Sequence, residues 1–191
     1  MKRVTYNFLT LVLAGSLMVS CGNNANREDK DTQEIAEDKN DAKFNDQEAE
    51  KTAQFLVDET NENYKDIEAA KVAVSRSNNA QVKEIANAIV TDHEANLAQL
   101  KQVATAKGVS IPTSPTEDAL EESKKWNEVK ADKFDKDFIS KLAKDHKDDI
   151  QDLESKLNST TDPDVRDYIT NTLTKLRTHY DKIAALEATF K

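Results

Sequence analysis

Apolar residues recur along most of the chain at spacings of three and four, the period of one helix face, and never alternate over the length of a strand. The first stripe runs Leu56, Thr60, Asn63, Ile67, Ala70 and Val74. Asn45, with Glu48 three residues later, reads as the capping box that opens this helix, and the pattern ends near Arg76-Ser77. A second stripe runs Val82, Ile85, Ala86, Ile89, His93, Leu97, Leu100 and Ala104. Asn78 and Asn79 precede it as caps, and Gly108 follows it as a residue able to turn left-handed. The first two helices are therefore expected to form a tight antiparallel hairpin. Ser114-Pro115-Thr116-Glu117 opens a short helix over about residues 115–130, carrying Leu120 and Trp126. The third long helix starts around Asp132–Asp135 and buries Phe138, Leu142, His146, Ile150, Leu153 and Leu157. Asp162-Pro163 starts the fourth, which buries Val165, Ile169, Thr172 or Leu173, Leu176, His179, Ile183 and Leu186.

The connector between the second and third long helices decides the topology. About six extended residues and about fifteen helical ones span roughly 42 Å, enough to travel back along a 28-residue helix. Helices two and three are then parallel, and the expected fold is an all-α, ferritin-like four-helix bundle with one long crossover connection carrying a short extra helix. Composition agrees with an all-helical class. Gly108 is the only glycine beyond the N-terminal segment and prolines occur only at 112, 115 and 163, too few for the turns of an all-β or α/β domain.

The N-terminus reads as an address. Met1-Lys2-Arg3 is followed by an apolar stretch from about Phe8 to Val19, too short to span a bilayer and typical of a secretory signal. Leu17-Met18-Val19-Ser20-Cys21-Gly22 resembles a bacterial lipoprotein cleavage box, and Cys21 is the only cysteine in the chain. The organisation expected is a signal peptide over 1–20, a lipidated Cys21 with a flexible polar tether over 21–43, and the helical bundle over 44–191. Ile35 is the only large apolar residue of 22–43. No aspartate accompanies Gly22 as in an inner-membrane retention signal, so an outer-membrane lipoprotein facing the periplasm or the surface is expected. From residue 22 onward 25 basic residues face 36 acidic ones, a net charge of −11 that excludes nucleic acid as a partner.

Candidate chemistry rests on three histidines, all the chain has. Asp92-His93 and Asp145-His146 repeat one phrase in two apolar frames, and His179 lies on the same kind of stripe. In the crossover arrangement all three fall within about two turns of one level. The reading the residues favour is a buried polar layer, with the histidines hydrogen-bonded to Asn63, Thr172 or each other. The alternative is a metal centre of His93, His146 and His179 with Glu68 from the first helix, suited to zinc, iron or copper. Di-iron chemistry of the Glu-x-x-His kind is not expected, because Val90, Ala143 and Leu176 occupy the positions three before the histidines. Asp92 and Asp145 point about 100° away from the histidine beside them, which leaves them to accept a hydrogen bond from a neighbouring helix. Glu68 also has a plainer role, pairing with Lys65 or Lys71. No nucleophile elbow, glycine-rich phosphate loop or haem-attachment motif is present, so hydrolase and nucleotide chemistry are not expected.

The run from Phe55 through Glu68, the segment Ala86–His93, Phe134-Asp135, Lys144-Asp145-His146, Asp162-Pro163 and His179 resemble the bacterial "domain of unknown function 4142" family over about residues 44–188. The resemblance implies export, a ferritin-like helical fold and an outer-membrane setting, with no settled activity. The expected function is a lipid-anchored envelope protein acting as a non-enzymatic interaction or envelope-maintenance module with a protein partner; the alternative is a metal-binding bundle for storage, sensing or oxidation.

Overall fold

A computed structural model describes residues 30–190, so the signal segment and Cys21 lie outside the described residues. Six helices and no strand occur among the described residues: α1 Thr32–Asp41, α2 Gln47–Arg76, α3 Ala80–Lys107, α4 Glu117–Glu128, α5 Ala131–Ser159 and α6 Pro163–Glu187. None is long and apolar enough to cross a membrane. Most ends are set by the local chemistry that the sequence displays. The Asn79 side chain accepts from Gln81 and Val82 N–H to start α3, and Gly108 ends it at φ 64°. Asp162 caps α6 with proline in its first turn. Two caps shift by one or two residues from expectation. Asp46 rather than Asn45 caps α2, because its carboxylate reaches both Glu48 and Ala49 N–H, and Thr116 rather than Ser114 caps α4.

The four long helices share two apolar clusters. One takes Ala70 and Ala73 of α2, Val82 and Ile89 of α3, Phe138 and Ile139 of α5 and Ile183 of α6. The other takes Leu56 of α2, Leu100 of α3, Leu153 of α5 and Val165 and Ile169 of α6. The first cluster therefore joins the N-terminal halves of α3 and α5 to the C-terminal halves of α2 and α6, so α3 and α5 run in the same direction. The 108–130 segment makes that possible, with α4 lying along α2. Trp126 of α4 closes one end of the core, edge-on to Phe134 at 5.9 Å and Phe138 at 5.3 Å, beneath Arg76, which donates to the Trp126 and Val129 carbonyls. Leu120 contributes little to that core and is exposed.

Within the segment expected to be a flexible tether, Thr32–Asp41 form α1. Polar pairing joins the burial of Ala36 in holding it. Asn40 is buried; its Nδ2 donates to the Ser110 carbonyl and its Oδ1 accepts from Ser110 N–H, both at 2.8 Å. Asp31 caps α1 and also accepts from Glu117 N–H at 3.1 Å. One asparagine thus satisfies an extended connector that has no strand to pair with.

Candidate metal centre

Each histidine stands where its helix passes from one apolar cluster to the other: His93 between Ile89 and Leu100, His146 between Leu142 and Leu153, His179 between Ile183 and Leu176. The parallel course of α3 and α5 brings these three points to one level. The rings are 6 %, 0 % and 4 % exposed respectively. Their centroids lie 5.6–5.9 Å apart, and ligand atoms of all three lie within 4.8 Å of one another.

The carboxylate that faces them from α2 is Asp66, not Glu68. Asp66 Oδ2 lies 3.6 Å from His93 Nδ1. Glu68, two residues on and turned to another side of the helix, is paired with Lys71 at 2.8 Å. A second group joins Asp66, His146 and Asp149, again with ligand atoms within 4.8 Å of one another. Asp149 follows His146 by three residues and shares its helix face, a His-x-x-Asp spacing legible in the sequence. Asp66 carries no such mark. It stands beside Ile67 on the buried stripe and reads as an ordinary solvated acid.

The Asp-His phrases diverge. Asp92 Oδ2 reaches His179 Nε2 on α6 at 2.9 Å, while its other oxygen accepts from Lys175 at 3.0 Å. That bond spends one nitrogen of His179 and turns Nδ1 inward, as a carboxylate behind a ligating histidine does. Asp145 stays on its own helix, paired with Lys141. Of the polar-layer partners, Thr172 bonds elsewhere and Asn63 bonds elsewhere through its amide nitrogen. Asn63 Nδ2 donates to the Glu59 carbonyl at 2.7 Å and Thr172 Oγ1 to the Tyr168 carbonyl at 3.0 Å. His93 Nδ1, His179 Nδ1, Asn63 Oδ1 and both ring nitrogens of His146 are buried without a hydrogen-bond partner. Native interiors rarely leave one such group, and here five atoms cluster at one level.

Burial dominates the electrostatics. It pushes His93 down to about 3, helped by the neighbouring His179, and holds His146 well below the ordinary imidazole range, with only the Leu142 carbonyl favouring a proton there. His179 is lowered less, because Asp92 supports its charged form. Burial, then the charges of Glu62 and Asp145, raise Asp149 to about 7; burial and Asp149 raise Asp66 well above the carboxylate range. Burial also raises Glu59 to about 8, against the 3.0 Å bond it accepts from Tyr168 Oη. Neutral imidazoles and reluctant carboxylates facing one another are what a cation would convert into ligands.

Access exists on the carboxylate side. An open groove of about 290 Å³ between α2, α4 and α5 is lined by Glu62, Asp66, Asp145, Asp148 and Asp149 among other residues. Asp66, Asp149 and Glu62 also border a small, partly open pocket of about 30 Å³ that includes His93 and Asn63. That volume suits a single ion or water.

Fold and site together define an all-helical bundle with a cluster of three buried imidazoles and two half-buried carboxylates. A family model described as "Domain of unknown function (DUF4142)" matches residues 18–186, and the chain belongs to that family. No curated protein and no solved structure matches it.

Proposed function

We propose that this chain is a transition-metal-binding protein of the bacterial cell envelope, with His93, His146 and His179 as the nitrogen ligands of a divalent ion. The observation that carries the reading is the unpartnered state of the ring nitrogens. A structural polar layer derives its stability from closed hydrogen bonds, and leaving a buried donor or acceptor open costs about 1–3 kcal/mol. These histidines stay open toward one another, while Asp92 fixes His179 from outside. Three neutral imidazoles with nearby carboxylates suit zinc, iron or copper.

The parallel course of α3 and α5, with α4 carried on the long crossover, supports a ferritin-like four-helix architecture for the binding scaffold. The basic start, apolar stretch and Cys21 support export and lipid anchoring, with outer membrane as the destination. Palmitate incorporation that disappears in Cys21→Ser is the expected result for the anchor; incorporation that persists contradicts it.

Metal binding is tested by elemental analysis of untagged protein after equilibration with Zn²⁺, together with thermal melting. About one equivalent or more of zinc and a melting point that rises with Zn²⁺ are expected. Less than about a tenth of an equivalent, with no melting shift, overturns the reading.

A further inference from the structure

This inference rests on the metal-binding reading and extends it to a second ion. The three-histidine group and the Asp66–His146–Asp149 group have His146 alone in common. Together they offer five ligand side chains, more than one tetrahedral ion uses. The second group lies on the groove side, where Glu62, Asp145 and Asp148 add negative charge. Lys141, the cation acting on Asp66, is engaged by Asp145. Two half-buried carboxylates beside one imidazole therefore have only a cation shared with Asp145 as countercharge from the protein itself.

His146 is the hinge of the arrangement. It is fully buried, no side chain bonds either ring nitrogen, and the Leu142 carbonyl that favours a proton there falls short of hydrogen-bond geometry. A histidine serving one ion normally donates its second nitrogen to a carboxylate or carbonyl, as His179 does to Asp92. We propose that the chain holds two divalent ions, one among His93, His146 and His179 and one among Asp66, His146 and Asp149, with His146 giving one ring nitrogen to each. For His146 to bind both, its remaining ring proton leaves to solvent as the second ion binds.

The experiment is zinc stoichiometry of the purified, untagged chain after equilibration with excess Zn²⁺ and desalting, in wild type, Asp149→Asn, Asp66→Asn and His179→Ala. Helical circular dichroism verifies each fold, and two different carboxylate variants guard against one failing to fold. Two equivalents in wild type, falling to one in Asp149→Asn, in Asp66→Asn and in His179→Ala, is the expected pattern. One equivalent in wild type overturns the second ion while leaving the metal-binding reading intact. Two equivalents that survive both carboxylate substitutions place the second ion elsewhere and also overturn it. No zinc at all overturns the metal-binding reading itself.

Discussion

Asp92-His93 and Asp145-His146 are the same two residues on the same kind of helix face, and the fold gives them different work. Asp92 crosses to α6 and fixes His179, so its own neighbour His93 is left facing Asp66. Asp145 remains on α5 with Lys141 at the rim of the acidic groove, and His146 points inward with no bond to either nitrogen. The difference arises from what stands opposite. α3 runs beside α6, whereas the face of α5 that carries Asp145 opens on the groove beneath α4. A repeated motif thus marks a shared position in the fold without specifying a shared role.

The comparison breaks most readily at the histidines. His146→Ala is expected to remove all zinc binding and with it the ligand-linked stability, about 4 kcal/mol at a thousandfold excess over Kd. His93→Ala is expected to retain part of both. Equal losses in melting experiments with Zn²⁺ would return the two phrases to equivalence.

The next largest effect is on pH dependence without metal. Asp149 and Glu59 are raised to about 7 and about 8 and Asp66 is raised too, so stability from their held protons is complete below about pH 4 and is lost as pH rises through those values. The histidines are lowered, His93 to about 3, so their contribution is complete above about pH 6.5 and is lost as pH falls. Between roughly pH 4.5 and 6.5 the two trends offset each other, and above roughly 6.5 only the acid loss continues. Metal-free protein should therefore melt lower at pH 8 than at pH 6, and saturating Zn²⁺ should shrink the difference by holding Asp66 and Asp149 ionised, leaving the share due to Glu59. A metal-free melting point that rises from pH 6 to 8 would show that the acids are already charged.

Smaller effects separate the two aspartates. Asp92→Asn is expected to weaken zinc affinity about 10–100-fold, the usual cost of losing the carboxylate behind a ligand. Asp145→Asn is expected to change it by less than about threefold at ~0.15 M salt, where a rim charge is largely screened. In metal-free protein Asp92→Asn should cost ~1.5–3 kcal/mol as a charge-assisted bond is lost, against about 0.5 kcal/mol or less for the exposed Asp145–Lys141 pair. Zinc titration calorimetry and urea denaturation read both differences.

Much of the scaffold was legible because helix ends are written locally. Asn79, Gly108 and Asp162-Pro163 each carry their own signal, and the length of the 108–130 connector already implied parallel α3 and α5. The level shared by the three histidines followed from that. What stayed hidden depends on contacts between distant residues. α1 exists because Asn40 meets Ser110, seventy positions away, and an acidic segment with one large apolar residue gives no local hint of it. Asp66 is chemically indistinguishable in sequence from the many solvated acids around it, and only the approach of α2 to His146 on α5 sets it apart, whereas Asp149 carries the mark of its spacing from His146. Glu68 shares α2 with Asp66 and turns to another side of it, toward Lys71.

The most direct test of the account is a titration of uniformly ¹⁵N-labelled, untagged protein with Zn²⁺, following the imidazole nitrogens of His93, His146 and His179. All three rings are predicted to move together to a single saturated state, with His179 ligating through Nδ1 and keeping its Nε2 proton toward Asp92. Imidazole spectra that remain unchanged past two equivalents of Zn²⁺ would contradict a metal centre at this level of the bundle.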